Sequence, residues 1–540
     1  MNPQIIPAAV TQMPSPAREP ADVAPFRSIL FAESEIDIGI DGREAPEIFA
    51  DLNLDQIVES ITTGRDEYNL KPFFYTPLKD VETINYRYDI LRDLEGGELA
   101  GYIQSFAQEM RKMRGYLSQA EKLYYKYQKQ SWFLDAVAIY SSAVTRLSHD
   151  LMRTDIGSFG FRAFRGYIAN YTESSDFRAL AIETQKIRAD LVGIRYSLHI
   201  AGKTTTVSKY DSEPDYGADV LQTFQKFSQG AAKEHKFDFR STADMNHVEA
   251  GILDLVAQLY PEIFASLEGH CTRHSGYLNG TIARFDREVQ FYLACLEHMH
   301  RFQRAELTFC YPAVTDRSKE VHGSGVFDLA LAIKLVRENS SVVPNDFYLK
   351  DPERIFVVSG PNQGGKTTFA RTFGQLHYLA SIGCPVPGRE AKIFLFDRLF
   401  THFEKEEDIR NLSSKLEDEL RRIHRILEYA TPNSILIMNE SFLSTTLNDA
   451  LFLSQQIMRR IVGLNMLCVS VTFLDELASF SETIVSMVST VDPKDPVVRT
   501  FKVVRRPADG LAYAAAIAQK YRLTYDAVKA RIAGKAKDPS

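Results

Sequence analysis

Gly360-Pro361-Asn362-Gln363-Gly364-Gly365-Lys366-Thr367 is the stretch whose reading decides the fold of this chain. It fits G-x-x-x-x-G-K-[ST], a loop whose glycines let backbone N–H groups turn toward phosphate oxygens. The apolar run Ile355-Phe356-Val357-Val358 precedes it, and a helix-like segment at 368–379 follows. That order places the loop at a helix N-terminus, whose partial positive charge favours an anion. In this reading Lys366 reaches the β- and γ-phosphates of a nucleotide, and the hydroxyl of Thr367 ligates Mg²⁺. The cofactors expected are ATP and Mg²⁺. Around the loop, apolar runs at 355–358, 435–438, 466–471 and 501–504 alternate with helical stretches. This is the grammar of an α/β domain with helices packed on a sheet.

A phosphate loop works with a metal-binding group and a group that orients water. The end of a buried strand, Ile435-Leu436-Ile437-Met438-Asn439-Glu440, has the right shape. Glu440 is the candidate for orienting the attacking water. Asn439 stands at the Mg²⁺ position; it keeps an oxygen acceptor but lacks the charge of an aspartate. Between loop and strand, Ser414-Lys415-Leu416-Glu417-Asp418-Glu419 opens a charged helix expected at 413–429. Ser414 either caps that helix or presents its hydroxyl, in trans, to a γ-phosphate held by another subunit.

At 540 residues the chain has room for about three or four domains. Hydrophobic residues at 45% and charged residues at 25% are ordinary for a soluble globular protein. A net charge of −7 gives no global support to nucleic-acid binding, so any such surface is a local patch. Cys271, Cys295, Cys310, Cys384 and Cys468 form no C-x-x-C pair and read as reduced thiols of a cytoplasmic protein. No apolar run approaches the ~18–20 residues of a membrane span. Residues 1–25 hold six prolines and no apolar core, and are expected to be a disordered tail rather than a secretory signal. Residues 534–540 are expected to be a second tail.

Residues 26–300 read as mostly helical. The stretch 99–152 contains no proline, and Phe106, Met110, Met113 and Leu117 recur at three- and four-residue spacing. Long helices or a helical hairpin are expected there. A second helical block is expected at 177–197. Near 200–235 the β-prone Thr204-Thr205-Thr206-Val207 and the breakers Pro214, Gly217 and Gly230 suggest an insertion with little regular helix. Helical periodicity resumes at His247.

The chain resembles the MutS family of DNA mismatch repair ATPases, which belong to the ATP-binding-cassette class. Val357-Val358-Ser359-Gly360-Pro361-Asn362-Gln363-Gly364-Gly365-Lys366-Thr367-Thr368 is similar to the family's T-G-P-N-M-G-G-K-S-T loop. Ile382-Gly383-Cys384-Pro385-Val386-Pro387 is similar to I-G-x-x-V-P, and Asp397-Arg398-Leu399-Phe400-Thr401 to D-R-I-F-T-R. Thr445, Thr446 and Asp449 fall in register with T-S-T-x-D, and Gly510-Leu511-Ala512-Tyr513 resembles a segment that leads into a dimerising region. More weakly, Pro77-Leu78-Lys79-Asp80 through Arg87 resembles the P-L-x-D-x-x-x-I-x-x-R opening of the family's core. The resemblance implies a helical core and lever at 26–300, with a clamp-like insertion near 200–235. It implies a P-loop ATPase domain of ABC/MutS type at 301–509 and a helical dimerisation segment at 510–533. It also implies a homodimer, Ser414 acting across the interface, and double-stranded or branched DNA as partner.

The departures from the family pattern divide binding from turnover. The mismatch-reading and connector domains are expected to be missing, and Phe31-Ala32-Glu33 matches the family's F-x-E wedge only formally. Asn439 replaces the magnesium-binding aspartate. Phe473 replaces the histidine that senses the γ-phosphate. Leu412 and Lys415 replace a glycine and a threonine of the signature segment, while Ser414 and Glu419 remain. Val342 stands where an aromatic residue often packs the adenine. Loss of either the aspartate or the histidine costs on the order of 10²–10³ in rate, by the scale of single electrostatic groups. Two readings follow: a DNA-binding ATPase switch with slow hydrolysis, or a non-hydrolysing, ATP-held interaction scaffold. Basic residues at the lever end, among them Lys186, Arg188, Arg195, Lys203 and Lys209, favour the first; Asp211, Glu213 and Asp215 dilute them.

Overall fold

The computed structural model describes residues 26–32, 42–202, 204–212, 245–404, 415–495 and 498–508, together with 523, 525, 528 and 529. The expected tails, most of the insertion after 212, Ser414 and nearly all of 510–533 lie outside these residues.

The first half is helical. It comprises α1 (Ile48–Leu52), α2 (Leu54–Thr62), α3 (Lys71–Phe74), α4 (Val81–Glu95), α5 (Glu98–Lys122), α6 (Lys126–Arg153), α7 (Phe159–Glu173) and α8 (Ser175–Val192). After a hairpin of β1 (Tyr196–Ala201) and β2 (Thr204–Lys209) come α9 (His247–Leu259), α10 (Pro261–Arg273) and α11 (Gly280–Gln303). The proline-free stretch forms a helical hairpin, α5 packed along α6, each about 40 Å long at 1.5 Å per residue. The second helical block stops earlier than expected. Gly193 closes α8, and Tyr196 already pairs with Lys209. The threonines near 205 supply the β-branched partners that a strand favours and a helix does not. The insertion therefore begins as regular antiparallel structure. Among the described helices no single one is long and apolar enough to cross a membrane.

The second half is a mixed α/β unit. A six-stranded sheet has the order β10-β11-β12-β7-β13-β14, with β7 (Ile355–Ser359), β10 (Leu399–Phe403), β11 (Ile435–Asn439), β12 (Leu467–Val471), β13 (Ile484–Val491) and β14 (Arg499–Arg505). All neighbours are parallel except the edge pair β13–β14. A four-stranded sheet, β4-β9-β5-β6, is built from β4 (Ala313–Thr315), β5 (Val321–Val326), β6 (Asn345–Leu349) and β9 (Glu390–Phe394). The short pair β3 (Phe309–Cys310) and β8 (Val386–Pro387) completes the strands among the described residues. Among the described residues the helices that accompany them include α12 (Leu329–Arg337), α13 (Lys366–Ser381), α14 (Lys415–Tyr429) and α15 (Leu447–Leu464).

Strand β7 is apolar on both faces because it is buried on both faces. Phe356 and Val358 join the main core, which continues without a break into Phe49, Leu91 and Phe291 of the helical half. Ile355 and Val357 join a second cluster with Ile423, Met458 and Ile461 under α14 and α15.

The helical half is bolted to α13. Leu78 N donates to Ser381 O at 2.7 Å, and the Tyr378 hydroxyl donates to Phe74 O at 2.9 Å. Arg87 is fully buried; its Nε donates to Leu30 O and its Nη1 to Ile382 O at 2.7 Å, just past the C-terminus of α13. A cation is favoured at that end of a helix. The guanidinium also lies 5.0 Å from the Phe31 ring centroid and 5.1 Å from that of Phe291. Phe31 is thus a core residue under an arginine, and the formal wedge match has no wedge. Asp80, in the same stretch of sequence, caps α4 by accepting from Thr83 N at 2.6 Å. Arg87→Ala strands two buried carbonyls and opens a cavity. It is expected to lower stability by about 3–4 kcal/mol, read as a fall in the urea midpoint; an unchanged midpoint would show that the anchor carries no energy.

Candidate nucleotide-binding site

Parallel strands carry ligands at their carboxyl ends, near a topological switch point. Here the loop 360–365 leaves the end of β7 and, with the start of α13, meets the ends of β11 and β13. The loop must pass very close to β13, which is why it is glycine-rich. A Cβ on Gly364 would stand 2.2 Å from Ser489 Oγ, and one on Gly360 2.8 Å from Ser489 O. Gly360 has φ 115°, open to glycine alone without strain. Ser489, a residue the sequence pattern did not single out, donates to Gly364 O at 2.7 Å and clamps the loop.

Lys366 is the first residue of α13 and is buried. Its Nζ donates to Gly360 O at 3.0 Å, Pro361 O at 3.2 Å and Asn362 Oδ1 at 3.2 Å, so the loop wraps its own cation. The Glu440 carboxylate lies 3.7 Å away. Burial pushes the Lys366 ammonium below its ordinary range, with Glu440 opposing the shift. Asn362 and Gln363 are exposed at the loop tip, and Gln363 takes φ 58°. Thr368 is within α13, where its carbonyl accepts from Thr372 Oγ1.

The Thr367 hydroxyl donates to Asn439 Oδ1 at 2.8 Å. Two residues 72 apart in sequence thus meet through β7, β12 and β11, which lie side by side. Adjacent ligand oxygens of an octahedral Mg²⁺ at about 2.0–2.1 Å stand about 2.9 Å apart. The pair matches that spacing, and the glycine cradle with buried Lys366 matches a phosphate, so these residues fit Mg-ATP. What the pair lacks is the negative charge an aspartate would bring.

Glu440 follows β11 with φ 51°, a left-handed conformation that costs a non-glycine residue about 1–3 kcal/mol. Its N–H is held by Val471 O at 2.9 Å. Phe442, also left-handed at φ 64°, donates its N–H to the buried Glu419 carboxylate at 2.9 Å. Glu419 therefore ties α14 to the turn after Glu440. Burial raises the Glu419 carboxyl above its ordinary range.

Two further neighbours of the loop are not legible in the motif. Arg499 Nε donates to Asn362 O at 3.2 Å. Phe501 carries φ 58°, is half exposed, and its backbone lies beside Gly365. Phe473, just past β12, is also half exposed. Val342 instead packs against the core.

Residues 356–529 match the model of MutS domain V. The DNA mismatch repair protein MutS of Fervidobacterium nodosum is 34% identical over 174 residues, 31% of this chain and 21% of that protein. The DNA mismatch repair protein MSH3 of Eremothecium gossypii is 31% identical over 138 residues, 25% of this chain and 13% of that protein. The MutS of Staphylococcus epidermidis is 27% identical over 205 residues, 38% of this chain and 22% of that protein. The chain thus spans between an eighth and a quarter of the length of these curated relatives. The loop, β11 and the strands that join them all fall inside the matched region, and together these matches support membership of the chain in the MutS family through its C-terminal region.

Proposed function

We propose that the chain is a MutS-like ATP-binding protein, an ATP-dependent DNA-binding switch in DNA repair or recombination with slow hydrolysis. The observation that carries this reading is the meeting of Thr367 with Asn439 beside the Lys366–Glu440 pair. Bound Mg-ATP supplies a phosphoanhydride whose oxygens the metal neutralises. The N–H groups of 360–365 and Lys366 bind the phosphates. Thr367 and Asn439 would hold the metal, and Glu440 would orient water and accept its proton. Phe501, at the loop's rim, offers the adenine an aromatic face that Val342 does not. Ser414 of a second copy closes the site, so the working form is a homodimer.

Helix α13 is the element that turns nucleotide state into movement. Its first turn holds Lys366 and Thr367, and its far end is bolted to Arg87, Leu78 and Phe74. A shift of the loop therefore reaches the helical half through one rigid element. Lys186 and Arg188 on α8, Arg195 just after it and Lys209 on β2 are exposed and are the residues through which branched or double-stranded DNA is met. Phosphate contacts of this kind make binding salt-dependent.

The second reading, an ATP-held scaffold, draws on the uncharged Asn439 and on Phe473, which has no proton to donate. A single-turnover experiment separates the two. Protein in excess is mixed with labelled ATP and Mg²⁺, and the bound nucleotide is identified over time. Bound ADP that accumulates points to the slow switch. Bound ATP that stays intact points to the scaffold, and absence of bound nucleotide defeats both.

A further inference from the structure

We propose that Glu183, His270 and His274 form a site for a divalent transition-metal ion of the zinc type, which staples α8 to α10. The three residues lie in the helical half, far in sequence from the phosphate loop. Glu183 is on α8; His270 is in the last turn of α10, and His274 closes that helix one turn later on the same face. Glu183 Oε2 is 3.1 Å from His274 Nε2 and 3.7 Å from His270 Nδ1. All three donor atoms lie within 4.8 Å of one another. Ligands of a tetrahedral Zn²⁺ at about 2.0–2.1 Å stand about 3.3–3.4 Å apart, so small side-chain rotations bring the three onto one ion.

The hydrogen bonding around His270 points to a cation. Its side chain is fully buried. The Thr184 hydroxyl donates its only proton to Leu180 O at 2.6 Å, so toward His270 Nε2, 3.2 Å away, it acts as acceptor. That places the imidazole proton on Nε2 and leaves a lone pair on Nδ1. Nδ1 has no hydrogen-bond partner, and it faces the Glu183 carboxylate. A lone pair on the buried Nδ1, turned toward a carboxylate oxygen 3.7 Å away, calls for a positive centre between them. Thr184 then acts as the outer partner that orients a ligating histidine.

Two imidazoles and one carboxylate suit Zn²⁺, Co²⁺ or Ni²⁺ better than Mg²⁺ or Ca²⁺. Glu183 and His274 are partly exposed, which leaves an entry path and room for a water as fourth ligand. Arg273 Nη2 also donates to Glu183 Oε2 at 3.0 Å, and its largely exposed side chain can swing into solvent when the ion binds. The apolar cluster here is small, built on Leu134, Ile187, Phe264 and Leu267, so a cross-link has more to add than it would in the main core.

The test uses the full chain without affinity-tag histidines, free of nucleotide and with Mg²⁺ in excess. Co²⁺ is titrated in and its visible absorption followed, and Zn²⁺ is then used to displace it. One equivalent per chain is expected, with the intense bands of four- or five-coordinate Co²⁺ rather than the weak ones of the hexa-aqua ion. Thr184→Val is expected to weaken Zn²⁺ binding about 10–100-fold, and His274→Ala by at least as much, with far-UV circular dichroism unchanged. Micromolar binding that survives His274→Ala in a folded chain would place the ion elsewhere. Failure of the wild type to take up micromolar Zn²⁺ would make the cluster an Arg–Glu–His ion pair and nothing more.

Discussion

Substituting Lys366 with alanine is expected to raise the dissociation constant for Mg-ATP by about 10²-fold or more while leaving the fold intact. A hydrogen bond to a charged group contributes about 1.5–3 kcal/mol, and each 1.4 kcal/mol is tenfold. The Lys366 ammonium is already desolvated and held by three loop oxygens, so little reorganisation is needed when it meets phosphate. The substitution has a second cost. Glu440, 3.7 Å from Nζ, loses its counter-charge and then faces a triphosphate. Calorimetric titration with ATP at fixed Mg²⁺ reads the effect. Retained wild-type affinity would remove the loop from the nucleotide site altogether.

Asn439→Asp is expected to act in the opposite direction on chemistry. The change is nearly isosteric, and the oxygen that accepts from Thr367 at 2.8 Å stays in place. It adds one negative charge where the metal would sit, in a site already shaped for it. Restoring a single electrostatic group of this kind is worth about 10²-fold in rate. The single-turnover hydrolysis rate is expected to rise by that order, with ATP affinity changed far less. Glu440→Gln on top of it should abolish the gain, since the water then lacks its acceptor. A rate unmoved by Asn439→Asp would mean that the end of β11 does not hold the metal, and that the silence of the site lies at Phe473 instead.

Much of the candidate site was legible because it is local. The loop, the strand before it and the helix after it are contiguous, and their glycines and apolar run follow from steric needs that eight residues reveal. The same is true of the end of β11, where four buried residues give way to Asn439 and Glu440. The partners that complete the site are not contiguous. Ser489, Arg499 and Phe501 come from β13 and β14, which return to the loop more than 120 residues later as parallel neighbour and antiparallel edge. Nothing in an isolated strand reports what its backbone will lie beside. Phe501 reads only as one apolar residue of a strand, yet it takes a positive φ and its backbone lies beside Gly365.

The helical half shows the same division. The hairpin of α5 and α6 was visible in spacing alone, because helical periodicity is a local property. The end of α8 is not visible in this way, because a helix that stops at Gly193 and a strand that starts at Tyr196 differ from a longer helix only through the pairing across the hairpin.

By itself, then, the sequence determined the long helices, the buried strands at 355–359 and 435–439 and the glycine-rich loop between strand and helix, since these depend on neighbours within a turn or a strand. Tertiary structure alone decided the rest. It set the 2.8 Å contact of Thr367 with Asn439, the seating of Arg87 at the far end of α13, and the approach of His270 Nδ1 to the Glu183 carboxylate at 3.7 Å. Each of these joins residues at least 70 positions apart, and only the packing of one buried core brings such groups within reach of each other.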